Sequence, residues 1–194
     1  MKGHKIKMFK FPNSILKYGQ ATELLKPYNI NTFHEAVLWV WKLPYGRTAE
    51  PSNYLLVPIE KKGACSSKHA FLAEIATEQA VALQLYIGIF MMDRKNTPGI
   101  GSILEDHHLD SIPEAHCYLL FQNERYDFTS YDISSSPHPQ LDFLHEELIQ
   151  PNQIGNYKNK LHRQWIEQWA KKTNQSLTLD ELWVIREKCI KALS

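Results

Sequence analysis

The sequence has few cysteines and no long apolar run, and each absence excludes a class of protein. Its three cysteines, Cys65, Cys117 and Cys189, are odd in number and far apart, which favours reduced thiols over a disulfide framework. The longest apolar stretch, residues 80–92, is broken by Gln84 and is shorter than the roughly 20 residues that a transmembrane helix needs. The first residues carry lysines but no apolar block or small-residue cleavage site. We therefore expect a cytoplasmic protein that neither crosses a membrane nor is secreted through a cleaved signal.

The chain also lacks a net charge of either sign. Its 22 basic and 21 acidic residues leave a formal charge of +1, so there is no global argument for binding nucleic acid. The distribution is uneven, because residues 105–149 carry ten acids against Arg125 alone, whereas residues 1–20 and 150–194 are basic. The simplest interpretation is that these segments lie side by side and neutralise each other. If the acidic segment lines a cleft, it would favour cationic substrates.

The composition that remains is that of one globular domain. The 194 residues are 43% hydrophobic, and an average domain has roughly 150 residues, so residues 1–194 are predicted to form a single domain. Helical periodicity, capping boxes and β-forming runs predict an α+β architecture. The predicted helices cover residues 32–41, 65–81, 158–172 and a segment from 178 onward, and the predicted strands cover residues 83–92, 115–121 and 125–129. The segments 93–114 and 134–139 are predicted to be loops, and residues 141–194 a helical extension with a hairpin that packs on the core.

The segment GACSSKHAFL places a cysteine where a helix begins. The first turn of a helix offers unpaired backbone amides and the positive end of the macrodipole, and both favour thiolate over thiol at Cys65. Gly63 permits close backbone approach, and the amide of Cys65 is a candidate oxyanion donor. Residues alone leave a second interpretation equally open, in which Cys65 is a small buried packing residue.

A thiolate nucleophile needs a proton carrier and a third group that orients it. His116 opens a predicted strand, and Asp127 follows across a predicted hairpin whose turn is at Gln122 to Glu124. A two- or four-residue loop places Asp127 on the same face as His116, either opposite or diagonal to it. A three-residue loop would reverse this relation and make Asp132 the orienting acid.

Other histidines and lysines offer competing interpretations. His69 lies one helical turn after Cys65, so it competes with His116 as the base; without an obvious third member of a triad, it is the less favoured choice. The stretch 104–110 contains His107 and His108 among acids, but it lacks a regular ligand spacing, and we expect neither a metal nor another cofactor. The lysines of residues 2–7 alternate toward Phe9 and Phe11 like a protected edge strand, so nucleic acid is not an expected partner.

In these segments the chain resembles the transglutaminase-like branch of the papain-like cysteine enzymes. The GACSSKHAFL segment is similar to the family's nucleophile helix, and HCYLLFQNERYDFT is similar to its strand His, tight turn and Asp. The resemblance covers about residues 31–132. It implies a Cys-bearing helix packed on a small antiparallel sheet, with Cys65 as nucleophile, His116 as acid and base, and Asp127 as the orienting group. Either Trp41 or Asn53 would match the residue that completes the family's oxyanion site.

These observations lead to two functional hypotheses of different classes. The first is a thiol-dependent acyl-transfer or amide-hydrolysing enzyme that acts on a peptide, amide or amine substrate. Water as the second substrate would give hydrolysis, and an amine would give transamidation. The second is a catalytically silent interaction module that keeps the fold and uses its Trp-containing helices to bind a partner.

Overall fold

The computed structural model describes residues 9–131 and 141–193 and confirms the α+β class. The helices are α1 (Gln20–Glu23), α2 (Phe33–Lys42), α3 (Leu56–Glu60), α4 (Cys65–Glu78), α5 (Gly101–Asp106), α6 (Asn156–Lys172) and α7 (Leu179–Lys191), with short 3-10 turns at Lys26–Tyr28 and Pro151–Gln153. The strands are β1 (Gln84–Asp93), β2 (Ser111–Phe121), β3 (Glu124–Tyr126) and β4 (His145–Leu148). They form one antiparallel sheet in the order β3-β2-β1-β4. α6 and α7 form the helical hairpin predicted for the C-terminal segment. The prediction that residues 141–194 are a helical extension is wrong at its start, because residues 145–148 form β4, which pairs with β1.

Local sequence signals explain where several elements begin. Thr32 and Glu35 form a reciprocal capping box at the start of α2, and Thr178 and Glu181 form another at the start of α7. Each box satisfies backbone amides that have no partner within their own helix. The helix at Cys65 starts at the predicted residue but ends at Glu78, three residues before the predicted end.

The β2–β3 hairpin has a two-residue turn. Gln122 and Asn123 both adopt left-handed backbone conformations, with φ of 48° and 65°, as the favoured hairpin turns require. Glu124 is therefore the first residue of β3, paired with Phe121, and not the last residue of the turn. β3 ends at Tyr126, which pairs with Leu119, so the prediction of a strand through residue 129 is wrong.

The prediction that residues 93–114 form one long connection is also wrong in two places. Residues 101–106 form α5, and β2 begins at Ser111, with Pro113 inside the strand. Proline is tolerated there because β3 pairs with β2 at Leu119–Phe121, so the earlier part of β2 has no described strand on that side to receive an N–H bond. Residues 111–114, which the sequence assigns to a loop because of Pro113, thus belong to β2, the longest of the described strands.

Two hydrophobic clusters cover the two faces of the sheet. The larger one joins Ile87, Ile89, Cys117 and Leu119 of the sheet to α2 and α4, and it also takes in Phe9 and Phe11. These two phenylalanines pack in an aromatic cluster and form no strand, while the lysines before them, Asp132 and the 134–139 segment lie outside the described residues. The smaller cluster joins Phe90, Met92 and Ile112 to α5 and α7.

Within the described ranges, no helix is both long enough and apolar enough to cross a lipid bilayer.

Candidate active site

The start of α4 places Cys65 beside the segment 44–46, which pairs with the backbone of Gly63. Gly63 donates a backbone hydrogen bond to Pro44 O (3.2 Å) and accepts one from Gly46 N (3.3 Å), which brings Tyr45 beside the first turn of the helix. A Cβ at Gly63 would lie 2.8 Å from the Lys68 side chain and 3.2 Å from Val57, so this approach requires glycine. The Cys65 side chain is 8% exposed.

The edge of β2 faces Cys65 beyond the end of β3. The backbone amide of Cys117 and the ring of His116 both act on the Cys65 sulfur and favour its thiolate form. This is possible because β3 leaves that stretch of β2 without a strand neighbour among the described residues. The helix start and the open strand edge together define the position of the sulfur.

Asp127 holds the imidazole of His116 on the side away from Cys65. The ring Nε2 lies 2.7 Å from Asp127 Oδ2, which leaves Nδ1 as the nitrogen available to the sulfur. Asp127 Oδ1 accepts a hydrogen bond of 2.8 Å from Thr129 N, so the carboxylate itself is fixed by the turn that follows β3. By the strand register, Asp127 lies diagonal to His116, one of the two arrangements that the sequence allowed. The structure therefore brings Cys65, His116 and Asp127 together.

His69, the competing base, is occupied by the backbone. Its Nε2 accepts a hydrogen bond of 2.7 Å from Phe128 N, and its Nδ1 lies 2.6 Å from the carbonyl oxygen of Cys65. An Nδ1–H tautomer satisfies both contacts and leaves neither nitrogen for the sulfur. Burial lowers the pKa of His69 to about 4 despite the nearby Asp127 carboxylate. His69 thus fixes the first turn of α4 to the segment after Asp127.

A buried lysine that the sequence did not single out completes the surroundings of the sulfur. Lys158, in the first turn of α6, places its Nζ 3.8 Å from Cys65 Sγ and is 7% exposed. A signal for it exists in the sequence: the buried stripe of α6 runs through Lys158, His162 and Ile166 at four-residue spacing, which puts two ionisable residues on a core-facing stripe. The contact between Lys158 and Cys65 could not be predicted from this pattern, because the two residues are far apart in the sequence.

Charge decides the protonation states at the site. Burial alone would raise the pKa of Cys65, but the positive charges of Lys158 and His116 lower it to about 6. Burial alone would lower the pKa of His116, but the charges of Asp127 and Cys65 raise it to about 10. Burial opposes the negative charge of Asp127, and the His116 cation holds the pKa of that carboxyl well below its usual range. At neutral pH the site therefore favours a thiolate beside an imidazolium.

Cys65 lies between two cavities. The first, of about 530 Å³, is lined by His116 and Asp127 together with apolar side chains such as Phe90 and Met92. The second, of about 400 Å³, is polar and is lined by Lys158 and Asn159, among others. Reactants can thus approach the sulfur from two sides that differ in chemistry.

The acids of residues 105–149 that line these cavities do not present free charge. Glu114 is paired with Arg186, whose Nε lies 2.6 Å from the carboxylate, and Asp127 is paired with His116. Glu114 and Asp127 belong to the first cavity's lining. A preference for cationic substrates was expected if acids lined a cleft. Acids do line the first cavity, but each of them already has a cationic partner.

The two candidates for a second oxyanion donor lie elsewhere. The Trp41 indole is buried and donates a hydrogen bond of 2.9 Å to Ser130 O, and Asn53 Oδ1 accepts one of 3.2 Å from Leu55 N. Neither residue lines a cavity next to Cys65. Sequence reasoning missed Tyr45, which lines both cavities.

In the part of the chain that the structure describes, no group of three or more His, Cys, Asp or Glu side chains is arranged to hold a metal ion. Comparisons with protein families, with curated proteins and with solved structures find no match to this chain.

Proposed function

We propose that the protein is a thiol-dependent enzyme of the acyl-transfer or amide-hydrolysis class, with a triad of Cys65, His116 and Asp127. The observation that carries the proposal is the charge-paired sulfur: Cys65 lies at a helix start beside His116, whose Nε2 is held 2.7 Å from Asp127 Oδ2. A nucleophile, a proton carrier and an orienting acid in this relation are the elements of nucleophilic catalysis at a carbonyl. The same relation supports the resemblance to the transglutaminase-like cysteine enzymes.

The first half-reaction uses the thiolate and the imidazolium in turn. The Cys65 sulfur attacks the carbonyl carbon of an amide, a C–S bond forms, and the carbonyl π electrons move to oxygen. When this oxyanion collapses, the C–N bond breaks and His116 gives its proton to the departing amine. The products are a thioester on Cys65, a free amine and a neutral imidazole.

The second half-reaction restores the resting state. Neutral His116 takes a proton from water, or from an amine, as that molecule attacks the thioester carbonyl. The C–S bond then breaks, the thiolate leaves, and the imidazolium is regenerated beside it. Water gives hydrolysis and an amine gives transamidation, and the cavity on the His116 side is the route by which either reaches the thioester.

Selective alkylation tests whether Cys65 is activated. Native protein is treated with iodoacetamide near pH 6, and labelling of Cys65, Cys117 and Cys189 is quantified by mass spectrometry. Because the pKa of Cys65 is lowered to about 6 and burial raises that of Cys117 to about 12, we expect selective modification of Cys65. Equal, slow labelling of all three thiols would favour the non-catalytic interaction module.

Two histidine variants test the assignment of the base. His116→Ala removes the imidazolium that faces the sulfur, so the low-pH limb of Cys65 alkylation should shift to higher pH. His69→Ala is the matched control, because it removes hydrogen bonds to Cys65 O and Phe128 N but no charge near neutral pH, where burial keeps the His69 ring neutral. Loss of the low-pH thiolate in the His69 variant alone would transfer the role of the base to His69.

A panel of electrophilic acyl probes, with Cys65→Ala as the background, then tests acyl transfer. Thioester formation at Cys65, followed by release to water or to an added amine, is the expected result. Alkylation without any acylation across the panel would contradict an acyl-transfer function.

A further inference from the structure

Lys158 has a position that lowering the pKa of Cys65 does not fully explain. It reaches the sulfur from the first turn of α6, and it lines the second cavity but not the first. His116 lines the first cavity but not the second. The two cations that act on Cys65 therefore stand on different sides of the nucleophile.

This separation divides the reacting groups between the two cavities. His116 must deliver its proton to the leaving amine, so the amine belongs in the first cavity. The carbonyl oxygen points away from the leaving group and the entering sulfur in the tetrahedral intermediate. The side on which negative charge develops is then the side of the second cavity, which Lys158 lines.

Among the described residues that line the second cavity, Lys158 is the cation that has no carboxylate partner. Arg47, Glu187, Arg186 and Glu114 form a continuous network of two cations and two anions. In the described part of the chain, Lys158 makes no ion pair with a carboxylate, and its polar contact is the Cys65 sulfur. Burial would lower the pKa of Lys158, but the charges around it, foremost that of Cys65, raise the pKa above its usual value, so the group remains an ammonium.

Acylation removes the counter-charge of this ammonium. When the thiolate becomes part of a covalent C–S bond, the sulfur loses its negative charge and the charge moves to the carbonyl oxygen, two bonds away. A buried cation without a partner is costly, and a preorganised donor aimed at developing charge lowers the barrier. Lys158 Nζ lies 3.8 Å from the sulfur, and the oxygen is two bonds from that sulfur, so a small movement of the lysine side chain suffices to exchange the thiolate for the oxyanion as its partner.

We propose that Lys158 is a catalytic residue that donates a hydrogen bond to the oxyanion of the tetrahedral intermediate, together with the backbone amide of Cys65. The proposal rests on the proposed acyl-transfer function. It supplies the second oxyanion donor that neither Trp41 nor Asn53 provides. It also gives Lys158 two successive partners, first the thiolate and then the oxyanion.

Two reactions of the same sulfur distinguish this role from a purely electrostatic effect on the thiol. Iodoacetamide is attacked at a saturated carbon with release of iodide, and no oxyanion forms. p-Nitrophenyl acetate is attacked at its carbonyl carbon, an oxyanion forms, and p-nitrophenolate leaves. Both rates are proportional to the fraction of thiolate, so the ratio of acylation to alkylation at Cys65 cancels any change in that fraction. The intrinsic nucleophilicity of the thiolate also varies with its pKa, so the expected effect is a change in the ratio well beyond this smaller dependence.

The variants are Lys158→Met, which keeps the length and removes the charge and donors, Lys158→Gln, which keeps a neutral donor, and Lys158→Arg, which keeps a cation. We expect the ratio to fall by about 10²–10³ in Lys158→Met, the usual effect of removing one oxyanion donor. A smaller fall is expected in Lys158→Gln, and Lys158→Arg should recover most of the wild-type ratio. Rates are measured at Cys65 by mass spectrometry, with Cys65→Ala as background and circular dichroism as the test of folding.

The outcomes separate the two proposals. An unchanged ratio in Lys158→Met, or in Lys158→Gln if the Met variant does not fold, overturns the oxyanion role and leaves Lys158 as a residue that positions and ionises the thiol. A wild-type Cys65 that reacts no faster than Cys117 and Cys189 with either reagent overturns the proposed function itself.

Discussion

Two clusters of buried charge share one face of β2 and differ in how their charges are matched. Glu114 belongs to one cluster and His116, two residues later on the same face, to the other. In the first, Glu114 and Glu187 bind Arg186 between them, and Arg186 also lies 5.4 Å over the Trp183 ring. Each charge there has a partner that it keeps in the folded protein.

In the second cluster one of the anions is a nucleophile. The thiolate of Cys65 is balanced by His116 and Lys158, and its charge disappears when the sulfur forms a bond. Both clusters are buried, with Cys65 8%, Glu114 5% and Arg186 6% exposed. Glu114 also lines the two cavities that reach Cys65, but its carboxylate is already bound by Arg186 and is not a nucleophile. The comparison shows that burial and pairing alone do not distinguish a structural charge cluster from a reactive one; a reactive atom that reactants can reach does.

Asp127→Asn should have the largest effect, and it should act on turnover. The amide cannot accept the His116 Nε2–H bond with the same strength, and it favours the wrong imidazole tautomer. In a Ser-His-Asp protease, the comparable change lowers kcat by about 10⁴-fold, and we expect a loss of that order in acylation of Cys65 by an ester probe. Thermal unfolding serves as the control, because a variant that loses activity only by unfolding would place Asp127 in the structural cluster.

Glu114→Gln should have the next largest effect, and it should act on stability. The variant leaves the guanidinium of Arg186 buried without its bidentate partner, and breaking a buried pair in this way typically costs about 3–5 kcal/mol. Urea unfolding followed by circular dichroism measures the change. Alkylation of Cys65 in the folded variant should stay near the wild-type rate, and a fall in that rate comparable to the Asp127 variant would merge the two clusters into one functional unit.

The pH dependence of acyl transfer should report on the reactive cluster alone. Its effect is smaller than that of the two substitutions, because the rate should change about tenfold per pH unit outside the active range. Acyl transfer should rise as Cys65 loses its proton near pH 6 and fall as His116 loses its proton near pH 10. The sign follows from the active pair, which needs the deprotonated thiol and the protonated imidazole together. Because the groups interact, the two limbs report the pair and not single residues. A profile that rises only above pH 8 would show that Cys65 is an ordinary thiol.

Those elements that the sequence predicts well are the ones encoded by neighbouring residues. The capping boxes at Thr32 and Thr178 and the helix start at Cys65 depend on side chains three or four positions apart. The relation of His116 to Asp127 follows from the two-residue turn, since strand alternation carries the register from the turn to the site. The core of the candidate site is local enough to be predicted.

Contacts across the chain were not predictable in the same way. Lys158 meets Cys65 across 93 residues, and Arg186 meets Glu114 across 72. No periodicity links such partners, because the packing of α6 and α7 against β2 decides which helix face meets which strand residue. Pro113 shows the reverse problem, in which a local signal misleads. Proline favours loops, but at Pro113 this preference is overridden because the residue lies on an open strand edge.

Arg47→Gln should have the smallest effect and marks the outer limit of the structural cluster. Arg47 makes two hydrogen bonds, of 2.6 and 3.0 Å, to Glu187, but its side chain is 45% exposed. Ion pairs that water can reach contribute at most about 1 kcal/mol, and Glu187 keeps its contact with Arg186 in the variant. Urea unfolding should therefore show a loss of about 1 kcal/mol or less, reduced further in high salt because ions screen the exposed pair. A loss as large as that of Glu114→Gln would mean that the charge network is cooperative as far as its exposed end. Arg47 would then belong to the structural cluster as fully as Arg186 and Glu114 do, and burial would not be what sets the strength of its ion pairs.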